Sequence, residues 1–450
     1  MREFLSEYKN KLITADQAAA LVKSGDYLEW GYGQAKPIAI DHALAKRKDE
    51  LFNVHIHNST SQSKFAVFEA DQTGEHFDYY SGHLSTQERK YVEMGFATYI
   101  PSMLAQNSEW LERGWRKADI TMIQVGPMDK HGYFNFGPQG TFLKTCCDVA
   151  KIVVVEVNHL MPRALGGRDE SIHISEVDYI VEDPLADRPL ATAPRATANE
   201  VDKKIAQYLV EEIEDGSCIQ IGIGSIPDLV GNMIANSDIK NLGIHTEMFT
   251  TAMADMYLAG KVTGRKKNID TGKMVYSFAF GAEEVYEILD NNPDMAMFPC
   301  SYTNQPYIIM KNDRAVSINS CLEVDLTGQV CSESVGTRQI SGSGGQLEFA
   351  LGAYFSRGGK SFICFSSTYT SKDGQVLSRI KPTLTPGAVV TTPRPVVHYL
   401  VSEHGKVILK GKSVWERAEM IISLAAPQFR DELIKEAQKI GIWKRTNKIV

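Results

Sequence analysis

Three short stretches of the chain place glycine turns and a carboxylate where acyl chemistry would use them. In Gly222-Ile223-Gly224-Ser225-Ile226-Pro227, two glycines stand between a strand-like run and a helical pattern. Such a turn lets main-chain N–H groups approach an anion or a developing oxyanion, helped by the N-terminus of the following helix. It is not a dinucleotide fingerprint, because Pro227 occupies the place of the third glycine in G-x-G-x-x-G. Gly31-Tyr32-Gly33 repeats the spelling, and there a plain strand-to-helix turn is the simpler reading. His245-Thr246-Glu247-Met248-Phe249 closes the next strand-like run. In an open α/β sheet, ligands collect at the carboxyl ends of strands. A carboxylate flanked there by Met248 and Phe249 is partly desolvated, which raises its pKa and sharpens it as a nucleophile. Taken alone, Glu247 also reads as a solvated loop residue. The third stretch runs from Gln339 to Phe349, with Ser341-Gly342-Ser343-Gly344-Gly345 set before Gln346. Its free N–H donors and one side-chain amide suit a carbonyl or a diphosphate linker.

Other candidates fall away. His55-x-His57 has no third metal ligand at a suitable spacing, so two residues on one face of a strand explain it better. Ser366-Ser367-Thr368 lacks the G-x-S-x-G elbow of a serine hydrolase. The acidic runs at 211–215 and 290–294 read as solvated helix ends.

These residues need elements to hold them. Short, apolar, unalternated runs predict strands at 27–30, 54–57, 120–125, 152–157, 218–221, 274–278, 315–319 and 361–365. Helical periodicity lies between them, at 16–23, 201–213, 228–235 and 413–424. Thr14 and Gln17 have the spacing of a capping box that opens the first of these helices. The alternation predicts α/β architecture with mainly parallel sheets. The segment 182–199 has three prolines and no period, which places a boundary there and divides the chain into 1–190 and 191–450. The two parts share a pattern of helix, glycine turn, strand, G-x-G, proline, helix and a strand ending near a histidine. From Gly25 to His57 is 32 residues and from Gly216 to His245 is 29. Either a duplication or two unrelated βαβ units accounts for this. If it is a duplication, Glu247 stands where the first copy has Ser59.

The chain has 450 residues, with 43% hydrophobic and 23% charged, which excludes disorder and coiled coil for its bulk. A net charge of −7 argues against a nucleic-acid partner. No signal-peptide core and no long apolar run appears, so no membrane association is expected. Seven cysteines without C-x-x-C spacing read as reduced thiols in a cytoplasmic protein.

In order, GIGSIP (222–227), LGIHTEMF (242–249) and SGSGGQLEFALGA (341–353) resemble the acetyl-CoA hydrolase/transferase branch of the family I CoA-transferases. The first half agrees through PMDKHGYFNFGP (127–138) and EVNHLMPRALGG (156–167). The second half agrees through GGKSFICFSST (358–368) and DGQVLSRIKPTL (373–384). Within that branch the chain looks most like the butyryl-CoA:acetate and 4-hydroxybutyrate CoA-transferases. The resemblance implies two α/β domains of CoA-transferase (NagB/RpiA-like) type, 1–190 and 191–450, with the active site in the cleft between them. It implies that Glu247 is the catalytic residue and forms a glutamyl-CoA thioester. It implies that Gly222, Ile223, Gly224, Ser225 and Ile226 bind CoA, that Gly345 and Gln346 frame the thioester, and that main chain near Leu322 lines the CoA groove. The implied activity moves CoA between butyryl-CoA and acetate in butyrate fermentation, by ping-pong kinetics. Coenzyme A thioesters are then substrates, with no resident cofactor and no metal. A homodimer or higher homo-oligomer is implied as well. The alternatives are a 4-hydroxybutyrate or 5-hydroxyvalerate CoA-transferase, an acyl-CoA hydrolase on the same scaffold, and a non-catalytic CoA sensor. A nicotinamide dehydrogenase would need the glycine fingerprint that Pro227 interrupts.

Overall fold

A computed structural model describes residues 2–442, and residues 443–450 of the expected second part lie outside the described residues. The chain forms two units. The first is Met1–Ala193 with Val275–Thr303, and the second is Pro194–Met274 with the chain from Asn304 onward. The change of unit at Ala193 falls close to the expected boundary, but a single cut does not describe the division. Residues 275–303 return to the first unit because their main chain is stitched to it. Ser277 O accepts the N–H groups of Gly140 (2.9 Å) and Thr141 (3.1 Å). Ala279 N donates to Pro138 O (2.8 Å), and Met297 N to Leu165 O (2.9 Å). The same stitching explains why the strand expected at 274–278 is two short strands, Met274–Tyr276 and Phe278–Ala279.

The first unit is built on an eight-stranded sheet. Its strands are β1 (Leu12–Ile13), β2 (Tyr27–Tyr32), β3 (Val54–Ser59), β4 (Phe77–Ser81), β5 (Ala97–Tyr99), β6 (Ile120–Val125), β7 (Ile152–Val157) and β8 (Tyr179–Glu182). Their order is β1-β8-β7-β6-β2-β3-β4-β5, and every neighbouring pair is parallel. From β2 the chain winds outward through β3, β4 and β5, then resumes on the other flank with β6, β7 and β8. The sheet therefore has a topological switch point between β2 and β6. Strand β6 is buried along its whole length, as the apolar run 120–125 predicts for a strand covered on both faces. On β2, β3 and β4 the faces differ. Leu28, Trp30, Val54, Ile56, Phe77 and Tyr79 enter the core. Tyr27, Glu29, His55 and His57 alternate with them. This places both histidines of the H-x-H pair on one face, beside carboxylates: His55 Nδ1 lies 2.7 Å from Asp78 and His57 Nδ1 3.0 Å from Glu29. Glu29 in turn meets Arg116, and that charge pair outweighs burial and holds its carboxyl below the ordinary range. Thr14 caps the helix that follows β1, α1 (Ala15–Ala20), by the expected reciprocal bonds with Gln17, at 3.1 and 2.9 Å.

The second unit is built on six strands: β9 (Cys218–Ile221), β10 (Gly243–Ile244), β11 (Ala315–Ser320), β12 (Lys360–Cys364), β13 (Tyr399–Ser402) and β14 (Gly405–Ile408). Their order is β10-β9-β11-β12-β13-β14, parallel except for the last pair. The switch point here lies between β9 and β11. Helix α2 (Ser225–Ala235) follows β9, and helix α3 (Gln346–Phe355) leads into β12. One face of the sheet and the helices α4 (Val414–Ser423) and α5 (Pro427–Lys439) share a core that includes Ile363, Leu400, Ile421 and Leu433. Among the described residues, no helix is long and apolar enough to cross a membrane.

Candidate active site

Strands β10, β9 and β11 are neighbours and parallel, so the loops that follow them leave the same edge of the sheet. After β9 come Gly222, Ile223 and Gly224. After β10 come His245, Thr246 and Glu247. After β11 come Cys321 and Leu322. At the switch point, Gln220 and Asn319 exchange side-chain amide bonds across the seam, at 3.4 and 3.1 Å. The carboxyl edge of a parallel sheet is where ligands are expected to gather.

Gly222 and Gly224 have open space around them: a Cβ on either would meet nothing within 4 Å. Gly224 has φ +126° and ψ −177°, backbone that side-chain-bearing residues avoid. It stands just before Ser225, the first residue of α2. The N–H groups of Ser225 and Ile226 lie in the first turn, where no intrahelical carbonyl can receive them. Ile223 is half-exposed at the tip of the turn.

Glu247 is held from two directions. Asn304 Nδ2 donates to Oε2 at 2.6 Å, and the main-chain N–H of Gly345 donates to the same carboxyl group. Gly345 is the N-cap of α3, so the carboxylate also faces the positive end of a ten-residue helix. Burial is the larger influence: it drives the Glu247 pKa up to about 7, against the pull of the two donors. The residue keeps a minor contact with solvent, while its carboxyl lies among packed groups. A Cβ on Gly345 would land on Glu247 Oε2 and come within 2.5 Å of Asn304 Nδ2. Gly345 has φ −96°, which any residue can adopt. Glycine is needed here to let the carboxylate approach.

Asn304 and Glu348 were not anticipated. The second N–H of Asn304 goes to Glu348 Oε2 at 2.9 Å, so one buried amide ties two carboxylates together. Asn304 Oδ1 has no hydrogen-bond partner among the described residues. Glu348 is visible in the glycine-rich stretch, three residues after Gly345, which puts it in the first turn of α3. Asn304 carries no local signal, because it reaches the site only through the tertiary path of residues 275–303.

The other expected site residues are placed as follows. The side-chain amide of Gln346 does not turn toward Glu247. It donates to Ser332 Oγ at 2.9 Å and to Thr392 Oγ1 at 3.0 Å, fixing the glycine-rich loop to its neighbours. Leu322 follows β11 at the same edge, but its main-chain groups are engaged. Its N–H goes to Cys331 O (2.9 Å), and its carbonyl accepts from Arg379 (3.0 Å). The structure thus brings Glu247 and Gly345 into contact, sets Gly222–Ile226 on the adjoining strand end, and leaves Leu322 further along the edge.

Comparison with known proteins agrees along the chain. Residues 1–191 match the acetyl-CoA hydrolase/transferase N-terminal domain, and residues 281–437 match the C-terminal domain of the same family. A probable butyrate:acetyl-CoA coenzyme A-transferase from Syntrophomonas wolfei is 48% identical, over 100% of this chain and 99% of that protein. The butyryl-CoA:acetate CoA-transferase of Anaerostipes caccae is 46% identical, over 99% and 100%. The crystal structure of a 4-hydroxybutyrate CoA-transferase from Porphyromonas gingivalis superposes with a TM-score of 0.78 at 31% identity, covering 97% of this chain and 100% of that one. The mainly parallel α/β architecture expected from the sequence is the architecture of that CoA-transferase.

Proposed function

The chain belongs to the acetyl-CoA hydrolase/transferase family, and on that premise we propose that it moves coenzyme A from butyryl-CoA to acetate, with Glu247 as the covalent carrier. The observation that supports this reading is the pair of donors on the carboxyl group of Glu247. Asn304 and Gly345 both serve the carboxyl group, and Asn304 is fixed on Oε2. Oε1 is then the attacking atom.

The reaction proceeds in four balanced steps. Glu247 Oε1 bonds to the butyryl carbonyl carbon, and the C–S bond breaks. This gives a mixed anhydride and CoA thiolate. The thiolate attacks Glu247 Cδ and expels butyrate, leaving a glutamyl-CoA thioester. Acetate attacks the same Cδ and expels the thiolate, which then attacks the acetyl carbonyl. Acetyl-CoA leaves, and the Glu247 carboxylate is regenerated. No proton is gained or lost overall. In the second and third steps Cδ is the electrophile and negative charge develops on Oε2, where Asn304 already donates, with the Gly345 N–H on the same carboxyl group. One such preorganised donor is typically worth about 10²–10³ in rate. The N–H groups at the start of α2 suit the coenzyme's anionic groups, with binding energy from these remote contacts serving to position a weak nucleophile.

Butyryl-CoA alone should label the protein. Hydroxylamine or borohydride treatment should then mark Glu247 in a peptide map, and steady-state exchange with acetate should be ping-pong. CoA release that does not depend on acetate, with no trapped adduct, would reject transfer in favour of hydrolysis.

A further inference from the structure

The first unit contains a cavity of about 240 Å³ that the chemistry of Glu247 does not account for. It lies over the carboxyl ends of β2, β6 and β7, at the switch point of the eight-stranded sheet. Its floor carries Gln34, Gln124 and Asn158, and its roof is the segment from Arg188 to Ala191. That segment is bolted down. Ala191 N donates to Gln34 Oε1 (2.5 Å), and Tyr286 Oη donates to Ala191 O (2.7 Å). Asn158 Nδ2 donates to Arg188 O (3.0 Å).

The polar groups of this cavity leave one charge uncompensated. Lys36, on the wall, is neutralised by Asp41 at 2.6 Å, and both are buried. Glu156, behind Gln124, has its oxygens filled by Ile38 N (2.6 Å), Ile40 N (2.9 Å) and Gln124 Nε2 (3.0 Å). Arg188 is different. Its Nε and Nη2 donate to the Leu185 carbonyl, at 3.3 and 3.2 Å. Among the described residues, no carboxylate lies within 4 Å of its guanidinium. Nη1 makes no hydrogen bond among the described residues, and the guanidinium keeps contact with solvent. Ile38, Pro189 and Leu190 add an apolar wall. The volume is below the ~300–1,000 Å³ of sites for drug-sized ligands, so the occupant has only a few heavy atoms.

We propose that this cavity binds a short-chain carboxylate, its carboxyl group on Arg188 and its carbon chain against Ile38 and Leu190. The bound acid has two sources: the acceptor acid of the transfer reaction, or free acid acting as an effector. The acceptor form rests on the function proposed above, whereas the binding does not.

Equilibrium dialysis of labelled butyrate and acetate separates these cases, performed in a Glu247→Gln background that cannot exchange. Arg188→Gln should weaken both acids at least tenfold. Leu190→Trp, which fills the apolar end, should weaken butyrate more than acetate. Butyramide should bind at least tenfold more weakly than butyrate. With Glu247 restored, the acceptor form predicts a matching rise in the KM for the acid and slower labelling by butyryl-CoA, whose acyl group leaves as an acid through the same site. The effector form predicts an unchanged KM and the loss of the acid's dead-end inhibition. Unchanged acid affinity in both variants, or equal binding of butyramide, overturns the proposal. Failure of Glu247 labelling would leave the dialysis result readable.

Discussion

The two G-x-G turns of this chain have the same spelling and opposite surroundings. Near the end of β2, Gly31 has φ +70°, and a Cβ there would strike the Leu143 side chain and come within 3.1 Å of Ala35. After β9, Gly222 and Gly224 face open space. At Gly31 the first turn is packed shut, and that glycine is required by the core. The second is open: no neighbouring atom accounts for glycine at 222, whereas at 224 the backbone conformation does. The following strands differ in the same sense. β3 ends at Ser59, a buried residue whose hydroxyl accepts the Gly82 N–H at 2.9 Å. β10 leads to Glu247, whose carboxyl meets the N-cap of α3. A glycine pair alone therefore does not announce a ligand. An open glycine turn at the same sheet edge as a desolvated carboxylate is the stronger signal.

The strongest way to break this contrast is to remove the carboxylate. Glu247→Gln keeps the shape and the Asn304 contact but cannot form the thioester. Exchange should fall by roughly 10⁴–10⁶-fold, as for other covalent nucleophiles. Exchange within tenfold of the parent would mean that the open turn serves some other group. Glu247→Asp should also lose most activity, because one methylene less withdraws the carboxyl from Gly345 and Asn304.

Next in size is Gly345→Ala. The backbone there tolerates alanine, so the fold should survive, with an unaltered circular dichroism spectrum and melting temperature. The methyl group would displace Glu247 Oε2 and the Asn304 amide together. We expect a loss of about 10²–10³ in kcat, the size of a lost oxyanion donor. A normal kcat in the alanine variant would contradict the close approach of carboxylate and helix.

The two turns can be set against each other directly. Gly222→Ala adds a methyl group in open space, so stability should hold while the KM for butyryl-CoA rises about tenfold, near 1.4 kcal/mol of binding. Gly31→Ala forces a side chain into Leu143 at a positive φ. It should cost about 1–3 kcal/mol of stability in a denaturant melt, with the KM of the folded fraction unchanged. If both variants lose stability alone, or both lose affinity alone, the distinction between closed and open turns fails.

Much of this was legible in the sequence. The strand runs, the parallel arrangement, the Thr14 cap and the place of Glu247 at the end of a strand are local patterns, and each was written in neighbouring residues. The division into units was only half legible. A proline-rich boundary near 190 is a local signal, whereas the return of residues 275–303 depends on hydrogen bonds to residues more than a hundred positions earlier. Asn304 was hidden for the same reason. Gln346 shows the opposite case: an amide in a glycine-rich loop suggests a ligand, and Ser332 and Thr392, distant in sequence, receive its N–H groups in the structure.

The smallest effect concerns stability and tests the desolvation of Glu247 without any substrate. An unfolded glutamate ionises near 4.5, and burial raises the native value to about 7. The native state therefore holds this proton more tightly than the unfolded chain does. Below about pH 4 the group is neutral in both states and costs nothing. As pH rises between the two values, the unfolded state gains from ionising and the native state does not, so native stability falls; the loss levels off above pH 7. Each unit of separation is worth about 1.4 kcal/mol, and the residual solvent contact of the residue reduces the total, to about 1–2 kcal/mol. Glu247→Gln should therefore melt like the parent at pH 4 and a few degrees higher at pH 8. The same ionisation gives the first half-reaction an acid limb centred near pH 7, which the variant cannot show. A stability difference that stays constant from pH 4 to pH 8 would place the Glu247 carboxyl in water. The open turn after β9 would then stand beside an ordinary surface acid, no more prepared for chemistry than the packed turn after β2.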